Sequence, residues 1–398
     1  MVSNLSINII PMLSSTLVSI FSVVLFVSSA LADANATETI VTETIVTETK
    51  TTDNLFSSNT VLDISLGADF ENMCRERDDE SCDYVDSNLS YRDADNALVV
   101  LPVQIKIRGG WRALKRNCTV PPLFVRFFEK ETKGTAFEGQ SMLPLTTHCH
   151  DTSRIEGGVR VPSVHFEQNV LKEYLAYNIY EQLTDISLRT RLVKIQYIGP
   201  NSSTKSRYAF FTEHFQALAK RANMIVLPRK VFSAELINLT AMDKVTLFNY
   251  MIGNLDWSIV RHRNVVLLGD ENGGQIPVPY DFDMSGVVNA IYATPPPLLP
   301  VENVRERYFL GFCHPMYSPL TQAEKIGALE SAILDQINNT PGFTKVTGNK
   351  ATRYLTSFFQ IAQTSSNDNN VFIKQCRPWP PLKDDKSLPE RKRGLDRW

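Results

Sequence analysis

The segment HFEQNVLKEYLAYNIYEQLTD, residues 165–185, constrains the fold most. Its apolar residues Val170, Leu171, Tyr174, Leu175 and Ile179 recur at helical spacing and predict an amphipathic helix. Segments of a different period flank it. Before it, NALVVLPVQIKIRGGWRAL alternates apolar and polar residues, which predicts a strand ending at Gly109-Gly110, and PPLFVRFFE predicts the next strand. After it, RTRLVKIQYIG and RYAFFTEHF read as strands joined by the polar turn PNSSTKS. TAMDKVTLFNYMIGNLD then reads as a helix, and HRNVVLLGDENGGQIPVPYDFD as a hairpin that turns at GDENGGQ. Strands, a helix, strands, then helices around a hairpin form an α+β order, with a sheet-rich front and a helical back.

The 398-residue chain is 43% hydrophobic and carries a formal net charge of −2. That apolar content can bury a substantial core, and the lack of a strongly basic stretch argues against nucleic acid as a partner. The first charged side chain is Asp33, and the apolar run STLVSIFSVVLFVSSALA before it ends in Ala30-Leu31-Ala32. Residues 1–32 therefore read as a signal peptide with an Ala-x-Ala cleavage site. The n-region has no Lys or Arg, so an uncleaved anchor is the alternative and the one expected route to membrane association. The even number of cysteines fits an oxidising compartment, whether periplasm, cell envelope or extracellular space. Pairing in sequence order (Cys74 with Cys82, Cys118 with Cys149, Cys313 with Cys376) is the favoured guess among many connectivities. Residues 38–49 repeat as ETIVTETIVTET, and the chain stays polar and acidic to residue 95, so 33–95 reads as a linker. A folded domain is expected over 96–345. Over 346–398, a helix in NKATRYLTSFFQIAQTS precedes a flexible tail rich in Pro and charge.

The chemistry concentrates in MIGNLDWSIVRHRNVVLLGDENGGQIPVPYDFDMSG, residues 251–286. An Asp, a His-x-Asn and an Asp-x-Asp lie there beside apolar runs, where carboxylates are costly unless solvated, paired or bound to metal. Asp281 and Asp283 fall on one side of an extended segment, and two hard oxygen donors converging on a point suit Mg²⁺ or Mn²⁺. One Asp to accept a proton and another to hold metal is what phosphoryl transfer needs. The histidines are not in ligand spacing, which disfavours a metal-dependent hydrolase.

The order of motifs resembles the spore-coat-protein-H (CotH) kinase family, from about Val103 to Gly286. IKIRGGW looks like its Arg-Gly-rich first hairpin, PPLFVRF its second strand, LKEYLAYNIY its helix, and YAFFTEHF its hinge strand. GNLDWSIVRHRN and PYDFDMSG resemble its catalytic loop and Asp-x-Asp metal loop. The resemblance implies a bilobal, atypical protein-kinase-like fold with a strand-rich N-lobe and a mostly helical C-lobe. It implies an exported, ATP-dependent phosphotransferase acting on a secreted or envelope protein. Asp256 would be the base, with His262 bracing the catalytic loop. Asn264, Asp281 and Asp283 would hold Mg²⁺ or Mn²⁺. Arg126 would contact the nucleotide phosphates, paired with Glu173, and Glu213 would end the hinge near the adenine. Arg126 stands where the family has Lys, and Lys172-Glu173 where it has Arg-Asn. Cys118 and Cys149 have no counterpart in the pattern. The first departure supports the alternative reading, a pseudokinase that serves as a structural or binding protein of the envelope.

Overall fold

The computed structural model describes residues 55–75, 82–156, 159–163, 165–200, 205–229, 231–314, 319–363 and 370–381. The expected signal peptide and the ETIVT repeat lie outside these residues. Among the described residues no helix is long and apolar enough to cross a membrane.

The front of the molecule is built from β1 (Leu62–Gly67), β2 (Val85–Arg92), β3 (Leu98–Ile107), β4 (Leu123–Phe127), the short α1 (Glu129–Thr132) and β5 (Met142–Thr146). A small hairpin follows, β6 (Thr152–Glu156) with β7 (Val159–Ser163), and then the long α2 (His165–Leu183), β8 (Thr190–Ile198) and β9 (Arg207–Thr212). Seven of these strands close into a barrel in the order β1-β2-β3-β4-β5-β9-β8. Alternate residues of its strands fill the interior: Leu123, Val125 and Phe127 from β4, Leu143 and Leu145 from β5, Val193 and Ile195 from β8. Phe137 sits among Phe127, Tyr91 and Phe211, with ring centroids at 4.9, 5.6 and 5.8 Å.

Closure corrects the expected domain boundary. The segment 33–95 reads as linker, yet β1 and β2 are barrel staves within it. β1 pairs parallel with β8, Leu62 opposite Val193, and antiparallel with β2, Ile64 opposite Tyr91. The two strands are polar because only their alternate residues, Ile64, Leu66, Leu89 and Tyr91, face the interior.

The back comprises α3 (Phe215–Arg221), β10 (Ile225–Val226), α4 (Leu239–Ile252), the hairpin β11 (Val265–Gly269) and β12 (Gln275–Pro279), and β13 (Phe312–Cys313). Then come α5 (Pro319–Gly327), α6 (Glu330–Asn339), α7 (Lys345–Gln363), α8 (Val371–Lys374) and β14 (Arg377–Pro378). The content is thus mixed α and β, with two apolar cores: one inside the barrel and one where α2, α4, α6, α7 and the β10-β11-β12 sheet meet.

Two further expectations need amending. The helix α2 is not simply amphipathic. Wedged between the β8–β9 wall and α4 and α6, it buries Gln168, Asn169 and Glu173 along with its apolar residues. The start of the C-terminal tail is docked: β14 pairs parallel with β13, and Trp379 packs its ring 5.3 Å from that of Phe312. The predicted cysteine pairs all form, Cys74–Cys82, Cys118–Cys149 and Cys313–Cys376, which fits an oxidising compartment.

Candidate functional site

The hairpin register assembles the site. Val265 lies opposite Pro279 and the Tyr280 N–H donates to the Asn264 carbonyl at 3.0 Å. The loop before β11 and the loop after β12 therefore leave the same end of the hairpin, which brings residues 256–264 beside 281–283. α4 delivers the first loop. Asn238 caps its N-terminus, the Oδ1 accepting from the Ala241 N–H at 2.9 Å, and Gly253 ends it in the left-handed region at φ 66°. A relay of amides continues the path: Asn254 Nδ2 donates to Asn249 Oδ1 at 2.9 Å, and the Asp256 N–H to Asn254 Oδ1 at 3.0 Å.

Asp256 is gripped from its own loop. Arg263 forms an ion pair with it, and Asn264 Nδ2 donates to its carbonyl at 2.7 Å and its carboxylate at 3.3 Å. His262 is buried in the tight turn between Ser258 and Arg263, whose backbones exchange two 2.9 Å hydrogen bonds. His262, Asn264 and Asp281 all adopt left-handed backbone, with φ 50°, 50° and 60°. Asn, Asp and His are the non-glycine residues most often found there, and such conformations gather at functional sites. Asp281 is thus not in the extended backbone expected of the Asp-x-Asp segment.

A guanidinium binds the carboxylates together. Arg112 lies 3.1 Å from Asp281, 3.6 Å from Asp283 and 3.8 Å from Glu173. Tyr292 donates its hydroxyl to Asp283 at 3.0 Å, and its ring sits 4.9 Å from that of Trp111, tying the 109–112 loop to the cluster. Glu173 and Tyr177, one turn apart on α2, cover the other side. The Tyr177 hydroxyl accepts the Asp281 N–H at 2.9 Å. Arg108 is buried next to this group, within the field of Asp281 and Glu173. Burial, then the neighbouring carboxylates against the pull of Arg112, raises Glu173 to about 8. Burial and Asp283 likewise push Asp281 to about 7. Asp256 also raises Asp281, which places it within the same electrostatic well.

The structure therefore brings Asp256, His262, Asn264, Asp281, Asp283 and Glu173 together, and leaves out two of the expected residues. Arg126 lies on the outside of the barrel, exposed, its guanidinium 3.8 Å from the Tyr84 ring centroid, and it forms no pair with Glu173. The alternation of β4 decides this: Val125 and Phe127 point inward, so Arg126 must point out. Glu213 is buried, but both its oxygens are taken by Arg221, at 3.0 and 2.8 Å. Besides Arg263 on Asp256, the cations at the site among the described residues are Arg108 and Arg112. Their signal was the pair of arginines that brackets Gly109-Gly110.

Three carboxylates converging on one guanidinium present the hard oxygen donors that Mg²⁺ or Mn²⁺ takes, with Arg112 as the stand-in cation. As they stand, no three acidic, His or Cys groups among the described residues are arranged to hold a metal ion. Beside Asp256 lies a shallow recess, too tight to hold a water molecule, walled by Asp256, Met284, Thr294, Pro295, Pro296 and Val304. The chain matches no protein-family model and no curated protein.

Proposed function

We propose that the chain is an exported, kinase-like phosphotransferase that uses ATP with Mg²⁺ or Mn²⁺ and acts on a hydroxyl of a secreted or envelope protein. One observation carries this reading: an Asp held by Arg263 and Asn264 lies near an Asp-x-Asp pair whose carboxylates share Arg112, with Arg108 buried alongside. Phosphoryl transfer needs little beyond these parts, a proton acceptor, a metal-holding acid pair and cations for the phosphates. Asp256, beside the recess, would accept the acceptor hydroxyl's proton. Asp281 and Asp283 would hold the metal, with Asn264 nearby. Arg108 and Arg112 replace Arg126 as the residues that would contact phosphates, and a guanidinium suits that role. When bound, the metal neutralises charge on the phosphate oxygens.

The position of Arg112 favours a second reading. A guanidinium already compensates the acids, so the same fold could serve as a pseudokinase, a binding protein of the envelope without turnover. Transfer of labelled phosphate from ATP, measured for wild type, Asp256→Ala and Asp281→Ala, separates the two. The enzyme reading expects turnover in wild type, a loss on the order of 10²–10⁴-fold in Asp256→Ala with ATP affinity retained, and loss of both in Asp281→Ala. Metal-dependent ATP binding without transfer in wild type would select the pseudokinase.

A further inference from the structure

Lys172, Arg305 and Lys350 stand together on the flank of the recess and form no salt bridge with an acid among the described residues. Lys172, next to Glu173 on α2, turns the other way and donates its ammonium to the Val288 carbonyl. Val288 follows Val287, whose N–H bonds the Ile252 carbonyl, so Lys172 reaches the strip joining the Asp-x-Asp loop to the end of α4. Arg305 follows Val304, a wall of the recess. Its guanidinium lies 4.8 Å from the Tyr354 ring centroid, and its carbonyl accepts the Tyr354 hydroxyl at 3.2 Å. Lys350 precedes Tyr354 by one turn on the same face of α7. The three cations thus meet over one seam. Burial, then Arg305 and Lys350, lowers the Lys172 ammonium to about 8.

No ion pair joins any of the three to a carboxylate among the described residues. Neighbouring acids are engaged elsewhere: Glu167 accepts the Tyr208 N–H at 2.8 Å, and Glu306 is bonded to Asn303 and to the Glu302 N–H. A positive flank on a chain of net charge −2 selects partners by sign.

We propose that Lys172, Arg305 and Lys350 form a docking surface for acidic residues that flank the acceptor hydroxyl. The proposal rests on the phosphotransferase reading for what happens at Asp256, but the binding itself does not. A short acidic peptide suits the surface better than nucleic acid. Three cations are few for a polyanion that binds through many phosphates.

The test uses fluorescein-labelled peptides with a central Ser flanked by Glu or, as the uncharged control, by Gln. Binding to the disulfide-intact protein is read by anisotropy without nucleotide or metal. The Glu peptide should bind about tenfold more tightly than the Gln peptide, and should weaken as salt rises from about 20 to about 200 mM. Lys350→Glu, on an exposed helix face, and Arg305→Gln combined with Lys350→Glu should each reduce the preference, the double variant most, without altering the melting response to ATP. Equal binding of the two peptides, or an unchanged preference in both variants, overturns the proposal. So does tighter binding of a single-stranded oligonucleotide of similar charge, which would make the surface a nucleic-acid site. Peptide preference in a protein that shows no response to ATP would leave the docking surface standing and remove the phosphotransferase reading alone.

Discussion

Arg112 carries the electrostatics of the site, because three carboxylates share its guanidinium. Arg112→Ala should cost about 2–4 kcal/mol, since removing one partner of a buried charge group leaves the others uncompensated. Millimolar Mg²⁺ or Mn²⁺ should restore much of the lost melting temperature in that variant, and a recovery no larger than in wild type would show that the acids cannot hold metal. Arg126→Ala should shift stability by no more than about 0.5 kcal/mol and leave ATP binding as it is, since the residue is exposed on the barrel. Glu173 supplies the pH test. Burial raises it to about 8, so the folded state binds its proton more tightly than the unfolded chain does. The resulting stabilisation is complete below the ordinary carboxylate range and is lost as pH rises through about 8. Glu173→Gln cannot ionise. With chelator present, its melting temperature should gain on wild type steadily between about pH 5 and about pH 8. Parallel curves would contradict the assignment. At this scale the acids that the sequence singles out lie together in the fold, whereas Arg126 lies apart from them. Asp256, Asn264, Asp281 and Asp283 are conspicuous because they adjoin apolar runs. Arg126 stands out through its motif, but the inward–outward alternation of β4 turns it away from the site. Arg112 acts through a loop whose path depends on tertiary contacts.

Among the elements, α4 and the β11–β12 hairpin do most to position the chemistry. Gly253 ends α4 at φ 66°, and a Cβ there would run into the Tyr354 hydroxyl of α7. Gly253→Ala should therefore destabilise by about 1–3 kcal/mol. It should also disturb the amide relay to Asp256, lowering turnover more than ATP affinity. Thermal melts together with the transfer assay check this, and a variant as stable and active as wild type would mean that the helix end does not position Asp256. Most elements were readable locally, because period and turn residues agree: α2, α4, the hairpin and α7 fall where their patterns place them. The exposure of α2 was not readable. Its polar residues look like a solvated face, and only the barrel wall on one side and α4 and α6 on the other bury Gln168, Asn169 and Glu173.

On the scale of the whole molecule, barrel closure is what local reading missed. β1 has too few apolar residues to stand out, and its partner β8 lies far along the chain, so the pairing Leu62 to Val193 leaves no short-range signal. The consequence is testable by truncation. A chain beginning at residue 55 retains all seven staves, whereas one beginning at 96 loses β1 and β2 and exposes the edges of β3 and β8. The shorter chain should aggregate or melt without a cooperative transition, and a cooperative melt like that of the longer chain would show that the first two strands are dispensable. The central claim, that the acidic cluster receives metal with ATP, is tested most directly by melting wild type and Asp281→Ala over a titration of ATP, with and without Mg²⁺ or Mn²⁺. A ligand that binds only the folded state raises the melting temperature by mass action, about 2.7 kcal/mol of stabilisation at a hundredfold excess over Kd. The predicted result is a rise in wild type that requires divalent metal and disappears in Asp281→Ala; no rise, or one indifferent to both metal and Asp281, would contradict the account.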